Sequence, residues 1–215
     1  MSMRFDCLVP DGRAEGLQHA VAAIGRGDLV VLPTDTVYGI GADAFRPSAV
    51  DALLAAKGRG RDMPVPVLVS SAAMLEGVVD QLPGVARELV DAFWPGALTL
   101  VLRHTVHLSW DLGDTQGTVA VRMPLHPLAL DLITQTGPLA VSSANRSGAP
   151  AATTADDARA QLGDTVEVYL DGGASPGPVP SSIVDVTGAV PHLLREGAVS
   201  PEALRTVVPD LLLTR

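Results

Sequence analysis

Hydrophobic residues recur along this chain with two different periods. Leu17, Val21 and Ile24 follow the helical spacing, whereas short unbroken apolar runs such as 29–32 are typical of buried strands. The pattern predicts helices over residues 13–26, 47–57, 71–81, 84–93, 127–136 and 155–162, and a last helix that begins at 200–201. It predicts strands over residues 29–33, 65–69, 97–103, 118–122, 139–141, 166–171, 182–187 and 191–195.

The order of these elements predicts the α/β fold class. Strands that alternate with helices indicate a layered α/β domain, and the late cluster of strands favours a mixed sheet over a purely parallel one. Pro66 cannot donate to a sheet ladder, so the strand over 65–69 is predicted to be an edge strand or an irregular one. A chain of 215 residues without repeats or a clear linker predicts one domain over 1–215, or one domain with a small appendage.

Composition narrows the classes of protein that the chain can belong to. Apolar residues make up 47% of the chain, which is enough for a core of valine, leucine and alanine. The net charge of −9 argues against a surface that holds nucleic acid through its phosphates, although it leaves room for a local basic cleft. Cys7 is the only cysteine, which excludes an internal disulfide and a cysteine-based zinc site.

The hydrophobic pattern of the sequence contains neither a targeting signal nor a membrane span. No apolar run approaches the ~20 residues of a membrane-spanning helix. The first six residues lack the apolar centre of a signal peptide. We therefore expect a cytoplasmic protein that makes no contact with a membrane.

Polar segments follow several of the predicted strands and suggest a binding site. The stretch 34–43 comes directly after the apolar run 29–32, and small-molecule sites in α/β proteins lie beyond the ends of strands. An ordinary turn explains this stretch equally well when it is taken alone. Similar polar segments occupy residues 57–62, 122–127 and 142–148, and a glycine- and proline-rich loop over a site is predicted at 172–180. Because a sheet brings its strand ends together, we expect these segments to share one site.

Lys57 is the only lysine in the chain, against fourteen arginines. A compact ammonium group approaches a phosphate or carboxylate end-on, and Arg59 and Arg61 beside it make a dense positive patch. The patch suits an anion such as a polyphosphate. The alternative is a solvated charge cluster that complements the end of a helix. Neither a Gly-x-x-x-x-Gly-Lys-Ser/Thr loop nor a Gly-x-Gly-x-x-Gly loop after a strand occurs, so any nucleotide is held differently.

The remaining candidate groups favour binding over covalent catalysis. Arg122 ends an apolar strand, where it could grip a carboxylate or phosphate with two hydrogen bonds. The pair His104 and His107 lacks a carboxylate partner at suitable spacing, so we predict no metal site. No Ser/His/Asp order can be defended. The site is therefore predicted to work by binding and electrostatics.

Seven sequence blocks resemble those of the YrdC/TsaC family. They occupy residues 33–39, 57–64, 93–99, 121–124, 143–148, 181–185 and 194–197, in the family's order and spacing. Together they cover roughly residues 15–205, almost the whole chain. A run of seven ordered blocks is far more specific than any single motif.

The resemblance implies a fold and a reaction. Members of this family are threonylcarbamoyl-AMP synthases, nucleotidyltransferases that make threonylcarbamoyl-AMP and pyrophosphate from L-threonine, bicarbonate and ATP with Mg²⁺. A partner transferase complex then modifies adenosine 37 of tRNA, so tRNA would be an indirect partner. The implied fold is a twisted mixed α/β sheet with an open, positively charged cavity. Some relatives carry a further C-terminal domain, for which this chain is expected to be too short.

The resemblance also implies roles for particular residues. The residues expected to contact L-threonine are Thr36, Arg122 and Ser181. Those expected to contact ATP are Lys57, Arg59, Thr118, Ser143, Ala151 and Arg195, with Lys57 and Arg59 stabilising charge during the reaction. The chain departs from the family at Met63, where asparagine is usual, at Leu68, where histidine is frequent, and at Ser182, where threonine is usual. Met63 and Leu68 therefore remove two expected contacts.

Two other functions remain open at this stage. The chain could be a non-catalytic module of the same fold that binds RNA, which the net charge of −9 disfavours. It could also make a carbamoyl adenylate from carbamoyl phosphate, as the related domain of hydrogenase-maturation proteins does. Those proteins are longer and carry zinc fingers, which a chain with one cysteine cannot form.

Overall fold

Eleven strands of the chain form one mixed sheet in a computed structural model that describes residues 2–213. The ends of the predicted 1–215 domain, Met1 and residues 214–215, lie outside the described residues. The strands are β1 (Met3–Asp6), β2 (Val30–Leu32), β3 (Gly39–Asp43), β4 (Val67–Leu68), β5 (Leu98–Arg103), β6 (Thr118–Arg122), β7 (Leu139–Ser143), β8 (Val168–Asp171), β9 (Ser182–Asp185), β10 (His192–Arg195) and β11 (Leu212–Leu213). Their order is β1-β8-β2-β3-β7-β4-β6-β5-β9-β10-β11.

Seven α-helices flank this sheet within the described residues. They are α1 (Pro10–Arg26), α2 (Pro47–Lys57), α3 (Ala72–Val78), α4 (Gly84–Phe93), α5 (Pro127–Thr136), α6 (Ala155–Leu162) and α7 (Pro201–Arg205). Proline begins α1, α2, α5 and α7, where its missing N–H costs no hydrogen bond. The predicted twisted, mixed α/β sheet with flanking helices is confirmed.

Three strands were not predicted, and each has a physical reason. The strands β1 and β11 lie near the chain ends and acquire their conformation by pairing with β8 and β10. The strand β3 lies inside the stretch 34–43 that was expected to be a loop, because glycine is a poor strand former. Its glycines are required by packing, since a Cβ at Gly39 would lie 2.6 Å from Cγ1 of Val141 on β7.

The strand β4 differs from its prediction in position. It is only two residues long, as an irregular strand would be, but it lies inside the sheet between β7 and β6, so the edge alternative was wrong. Pro66 precedes it and donates no hydrogen bond. Its carbonyl still accepts from the Val141 N–H at 2.8 Å. The proline therefore shortens the strand without excluding it from the interior.

The two faces of the sheet are covered differently. On the first face, α2, α3, α4, α6 and α7 pack on the larger core, which includes Leu53, Leu89 and Leu100. On the second face, α1 and α5 pack against β2, β7 and β8 through residues such as Ile24 and Leu132. The second core contains no residue of β5, β6 or β9, so neither helix covers these strands. This half of the second face is uncovered, and it carries the candidate site.

Gly197 provides a test of how tightly the chain packs beside this uncovered half. A Cβ at Gly197 would lie 2.5 Å from backbone atoms of residues 180–182, so Gly197→Ala requires the backbone to shift. We expect a loss of about 1–3 kcal/mol in the free energy of unfolding, measured by urea denaturation. Gly188→Ala is the control, because its nearest atom would be 3.9 Å away. Equal stability of the two variants would contradict the close packing.

Candidate active site

A cavity of about 530 Å³ lies over the uncovered half of the second sheet face. Alternate residues of β5 and β6 form its floor, because successive side chains of a strand point to opposite faces. Of the nine predicted site residues, the eight that line the cavity are Thr36, Arg59, Thr118, Arg122, Ser143, Ala151, Ser181 and Arg195. The structure therefore brings together residues that are up to 159 positions apart in the chain (195 minus 36).

Arg122 is the last residue of β6 and is held by three partners. Its Nε donates to the carbonyl of Gly96 at 2.9 Å, its Nη1 to Oγ1 of Thr36 at 2.9 Å, and its Nη2 to Oδ1 of Asp35 at 2.6 Å. Burial lowers the pKa of Arg122, and the neighbouring carboxylate of Asp35 opposes that effect. The guanidinium stays protonated at neutral pH. Its orientation is therefore fixed before any ligand arrives.

Thr36 is oriented by the loop that contains it. Thr34 donates its hydroxyl to the carbonyl of Val37 at 2.7 Å, and its Oγ1 lies 3.0 Å from Oγ1 of Thr36. Tyr38, two residues further on, donates to the carbonyl of Gly173 at 2.5 Å and anchors the loop that begins there. The glycine- and proline-rich segment 172–180 is thus tied to the first wall of the cavity.

Arg195, at the end of β10, contacts the opposite wall. Its Nε and Nη2 donate to the carbonyl of Ser181 at 3.0 and 2.8 Å, and Nη2 also donates to Oγ of Ser181 at 3.1 Å. That hydroxyl shares a hydrogen bond of 2.8 Å with Oγ1 of Thr99. Burial lowers the pKa of Arg195, and the positive charges of Arg122 and Arg59 lower it further. Three guanidinium groups therefore converge on the cavity.

Arg59 extends from the loop after α2 into the same cavity. Its Nη1 donates to Oγ of Ser142 at 3.1 Å, and its Nη2 lies 3.4 Å from the carbonyl of Pro64. Its Nε is buried and has no partner among residues 2–213. Burial lowers the pKa of Arg59, whereas Asp62 raises it. Arg59 nevertheless lines the cavity, so its positive charge can act on a ligand there.

Lys57 ends α2 and is the one predicted site residue that does not line the cavity. Its side chain is almost fully buried, with 3% exposed, and its Nζ donates to the carbonyls of Ser143 and Asn145, the latter at 2.7 Å. Burial and, to a smaller extent, the charge of Arg59 lower the pKa of Lys57 to about 8. The ammonium thus lies behind the 143–145 turn, whose other side lines the cavity.

The predicted patch of Lys57, Arg59 and Arg61 is divided in three dimensions. Arg61 points to the surface, where it forms ion pairs with Asp51 at 2.6 Å and with Asp111. Only Arg59 reaches the cavity directly. The prediction of one dense positive patch was wrong, because each of the three side chains binds a different carbonyl or carboxylate.

The three departures from the family lie in different surroundings. Leu68 lines the cavity and is in register with Arg122 on the neighbouring strand. Met63 is 46% exposed and does not line the cavity. Ser182 is buried and donates to the carbonyl of Val199 at 2.6 Å, so its hydroxyl holds the chain after β10. Only Leu68 therefore changes the lining itself.

Several lining residues were missed by sequence reasoning. Thr99 lies within a matching block but received no role, Asn145 was considered only as an amide in the polar segment 142–148, and Thr34 was treated only as part of a loop. Thr99 is the single polar residue in the run 98–102, and that interruption of an apolar strand was a usable signal. The partner of Arg122, Asp35, carried no signal of its own.

The described residues contain neither a candidate metal site nor a candidate membrane span. Within residues 2–213, no group of three or more histidine, cysteine, aspartate or glutamate side chains is placed to hold a metal ion. In the same part of the chain, no helix combines the length and apolar character needed to cross a membrane.

Known proteins resemble this chain over most of its length. Residues 22–197 match the Sua5/YciO/YrdC family model, whose description reads "Telomere recombination". A Mycobacterium tuberculosis protein, provisionally named a threonylcarbamoyl-AMP synthase, is 59% identical over 208 residues, which cover 97% of this chain and 96% of the relative. The threonylcarbamoyl-AMP synthase of Bacillus subtilis is 38% identical over 194 residues, which cover 89% of this chain and 56% of the relative.

A solved structure agrees with both matches. The crystal structure of Pyrococcus abyssi Sua5 complexed with L-threonine superimposes with a TM-score of 0.92 at 34% sequence identity. The match covers 100% of this chain and 62% of that one, so the archaeal protein is considerably longer. The family model covers more than half of the chain, and the relatives agree with it. The chain belongs to the Sua5/YciO/YrdC family.

Proposed function

We propose that the protein is a threonylcarbamoyl-AMP synthase that makes threonylcarbamoyl-AMP and pyrophosphate from L-threonine, bicarbonate and ATP. The observation that carries this proposal is the convergence of Arg122, Arg59 and Arg195 on one cavity that no aspartate or glutamate among the described residues lines. Such a cavity is positively charged and suits two anionic reactants. The names of the relatives support an adenylate product, and the L-threonine in the archaeal structure supports L-threonine as a substrate.

L-Threonine would bind at the end of the cavity that contains Arg122. Three of the five N–H donors of Arg122 are used by the protein, which leaves two for a carboxylate. Thr36 and Ser181 present hydroxyls to the cavity near the same guanidinium and near Arg195. This end can therefore hold a carboxylate and orient a small polar side chain.

ATP would bind along Arg59 and Arg195. The two converging positive charges favour the phosphates. Thr118, Ser143 and Ala151 line the cavity and would contact the rest of the nucleotide. Lys57 holds the 143–145 turn and adds its charge from behind, whereas its direct contact with ATP stays a prediction.

The chemistry needs positioning and charge stabilisation. The amino group of threonine forms an N–C bond to bicarbonate, a C–O bond breaks, and water leaves to give a carbamate. A carbamate oxygen then attacks the α-phosphorus of ATP, so that a new O–P bond forms and the bond to the pyrophosphate oxygen breaks. Arg59 and Arg195 would stabilise the negative charge that gathers on the leaving pyrophosphate. No described carboxylate lines the cavity, so Mg²⁺ would arrive with the phosphates of ATP as part of that substrate.

The remaining aspects of the function follow from the reaction. A single domain over 1–215 would act in the cytoplasm and pass its product to a transferase complex that modifies tRNA. The protein would meet tRNA only through that complex, because the net charge of −9 disfavours direct RNA binding.

The reaction itself is the first test. Incubation with ATP, bicarbonate and L-threonine should release pyrophosphate and form a new adenylate, both resolved by chromatography. Omission of L-threonine should abolish both products. Pyrophosphate release that does not depend on L-threonine would contradict the proposal, and salt-dependent RNA binding without pyrophosphate would favour the non-catalytic alternative.

Replacement of Arg122 tests the threonine end. Arg122→Lys keeps the charge but loses the planar pair of donors, so we expect the KM for L-threonine to rise about tenfold to a hundredfold. The KM for ATP should change little. Arg103→Lys, at the exposed end of β5, is the matched control. An equal rise in both KM values would place Arg122 at a different point in the cavity.

The pKa of Lys57 predicts a pH dependence. The lowered pKa of about 8 leaves Lys57 mainly protonated at pH 7 and mainly neutral at pH 9.5. Lys57→Met is neutral throughout, so the wild-type protein should bind pyrophosphate about tenfold more tightly than the variant at pH 7, and this advantage should shrink towards one at pH 9.5. Titration calorimetry at each pH gives the dissociation constants of the two proteins for pyrophosphate. The ionisation of pyrophosphate affects both constants equally and therefore cancels in their ratio. A constant ratio would show that the charge of Lys57 does not act on the phosphates.

A further inference from the structure

Asp35 lies just outside the cavity and neutralises the cation at the threonine end. Its side chain is 14% exposed and that of Arg122 is 7% exposed, so water screens the pair weakly. One oxygen, Oδ1, accepts from Nη2 of Arg122 at 2.6 Å and from the N–H of Leu125 at 2.9 Å. Asp35 does not itself line the cavity. It therefore acts on a ligand only through its charge and through Arg122.

The other two lining arginines lack such a partner within the described residues. Arg122 is the only one of the three lining arginines that forms an ion pair within the described part of the chain. Arg195 is bonded to the neutral groups of Ser181, and Arg59 to those of Ser142 and Pro64. Arg122 is therefore the lining guanidinium whose charge is cancelled by a hydrogen-bonded carboxylate. The charge of Arg59 is offset only by the more distant Asp62, and that of Arg195 lies near two further positive charges.

This asymmetry separates two kinds of anion. A polyphosphate carries several charges and follows the net positive potential, whereas a single carboxylate can be recognised by the geometry of two N–H donors. Cancelling the net charge at Arg122 removes most of the attraction for a polyphosphate but leaves the donors in place. We propose that Asp35 is a specificity-determining residue that keeps polyphosphate out of the threonine end of the cavity, an inference that rests on the proposed function.

The competing explanation is that Asp35 only holds Arg122 in its orientation. One substitution separates that structural role from the role of the Asp35 charge. Because both hydrogen bonds end on the same oxygen, the amide oxygen of an Asp35→Asn variant can accept both. This variant removes the charge and keeps the geometry. Asp35→Ala removes both. Asp131→Asn is the control for a lost surface charge, since Asp131 pairs with Arg13 outside the cavity.

The experiment is titration calorimetry of L-threonine, with and without saturating inorganic pyrophosphate. In the wild-type protein and in Asp131→Asn, pyrophosphate should leave the affinity for L-threonine unchanged. In Asp35→Asn, pyrophosphate should enter the threonine end and weaken the apparent affinity for L-threonine at least about fivefold. Thermal melting establishes that each variant is folded at the temperature of the assay.

The outcomes separate this inference from the proposed function. Unchanged threonine affinity in Asp35→Asn with pyrophosphate present would overturn the inference, as would a loss of threonine binding in that variant without pyrophosphate. If the wild-type protein binds no L-threonine, both the inference and the proposed function fail. If the wild-type protein makes the adenylate and pyrophosphate does not weaken L-threonine binding in Asp35→Asn, the inference is overturned and the proposed function stands.

A second variant tests the same inference without disturbing the ion pair. Leu68 lines the cavity beside Arg122, so Leu68→Lys adds an uncompensated charge at the threonine end. Pyrophosphate should then compete with L-threonine as it does in Asp35→Asn, while the neutral control Leu68→Gln should show no competition. Equal behaviour of these two variants would overturn the inference even if Asp35→Asn does not fold.

Discussion

The sheet face that α1 and α5 leave half uncovered is the constraint on which the site depends. Every strand alternates its side chains between two faces, so β5 and β6 must present alternate residues to a core on one side and to open space on the other. The core side is filled by residues such as Leu100 and Val121. The open side carries Thr99, Ala120 and Arg122, which are small or polar enough to leave a cavity. A third helix over this half would have buried the site.

Cations that lose contact with water are costly, and this fold satisfies the four cations at the site differently. Lys57 is surrounded by backbone carbonyls, Arg122 is paired with a carboxylate, and Arg195 grips the carbonyl of Ser181. Of these four cations, only Arg59 has a buried N–H, on Nε, that finds no partner within residues 2–213. These local partners explain how a protein with a net negative charge can hold several cations around a cavity for anions. The cost of removing each charge from water is offset locally by carbonyls, hydroxyls or a carboxylate.

Periodicity was a sound guide to the long elements. The helix bounds over 47–57, 84–93 and 155–162 agree with the structure, as does the strand over 118–122. Prediction failed where tertiary pairing overrides local preference. The glycine-rich strand β3 is an example, because it exists only through the close approach of β2 and β7. The short strand β4 lies inside the sheet despite Pro66, because its other backbone groups find partners there.

The sequence by itself determined the fold class, the family and the set of residues that a shared site could draw on. Those properties depend on local periodicity and on the order of the seven sequence blocks that resemble the family, both of which are linear along the chain. Only the tertiary structure decided what each charged group does. It directed Arg61 to two surface carboxylates, turned the ammonium of Lys57 away from the cavity, and placed Asp35 against Arg122. The physical reason is that the partner of a buried charge is chosen by distance in space, which the spacing of residues along a chain does not specify.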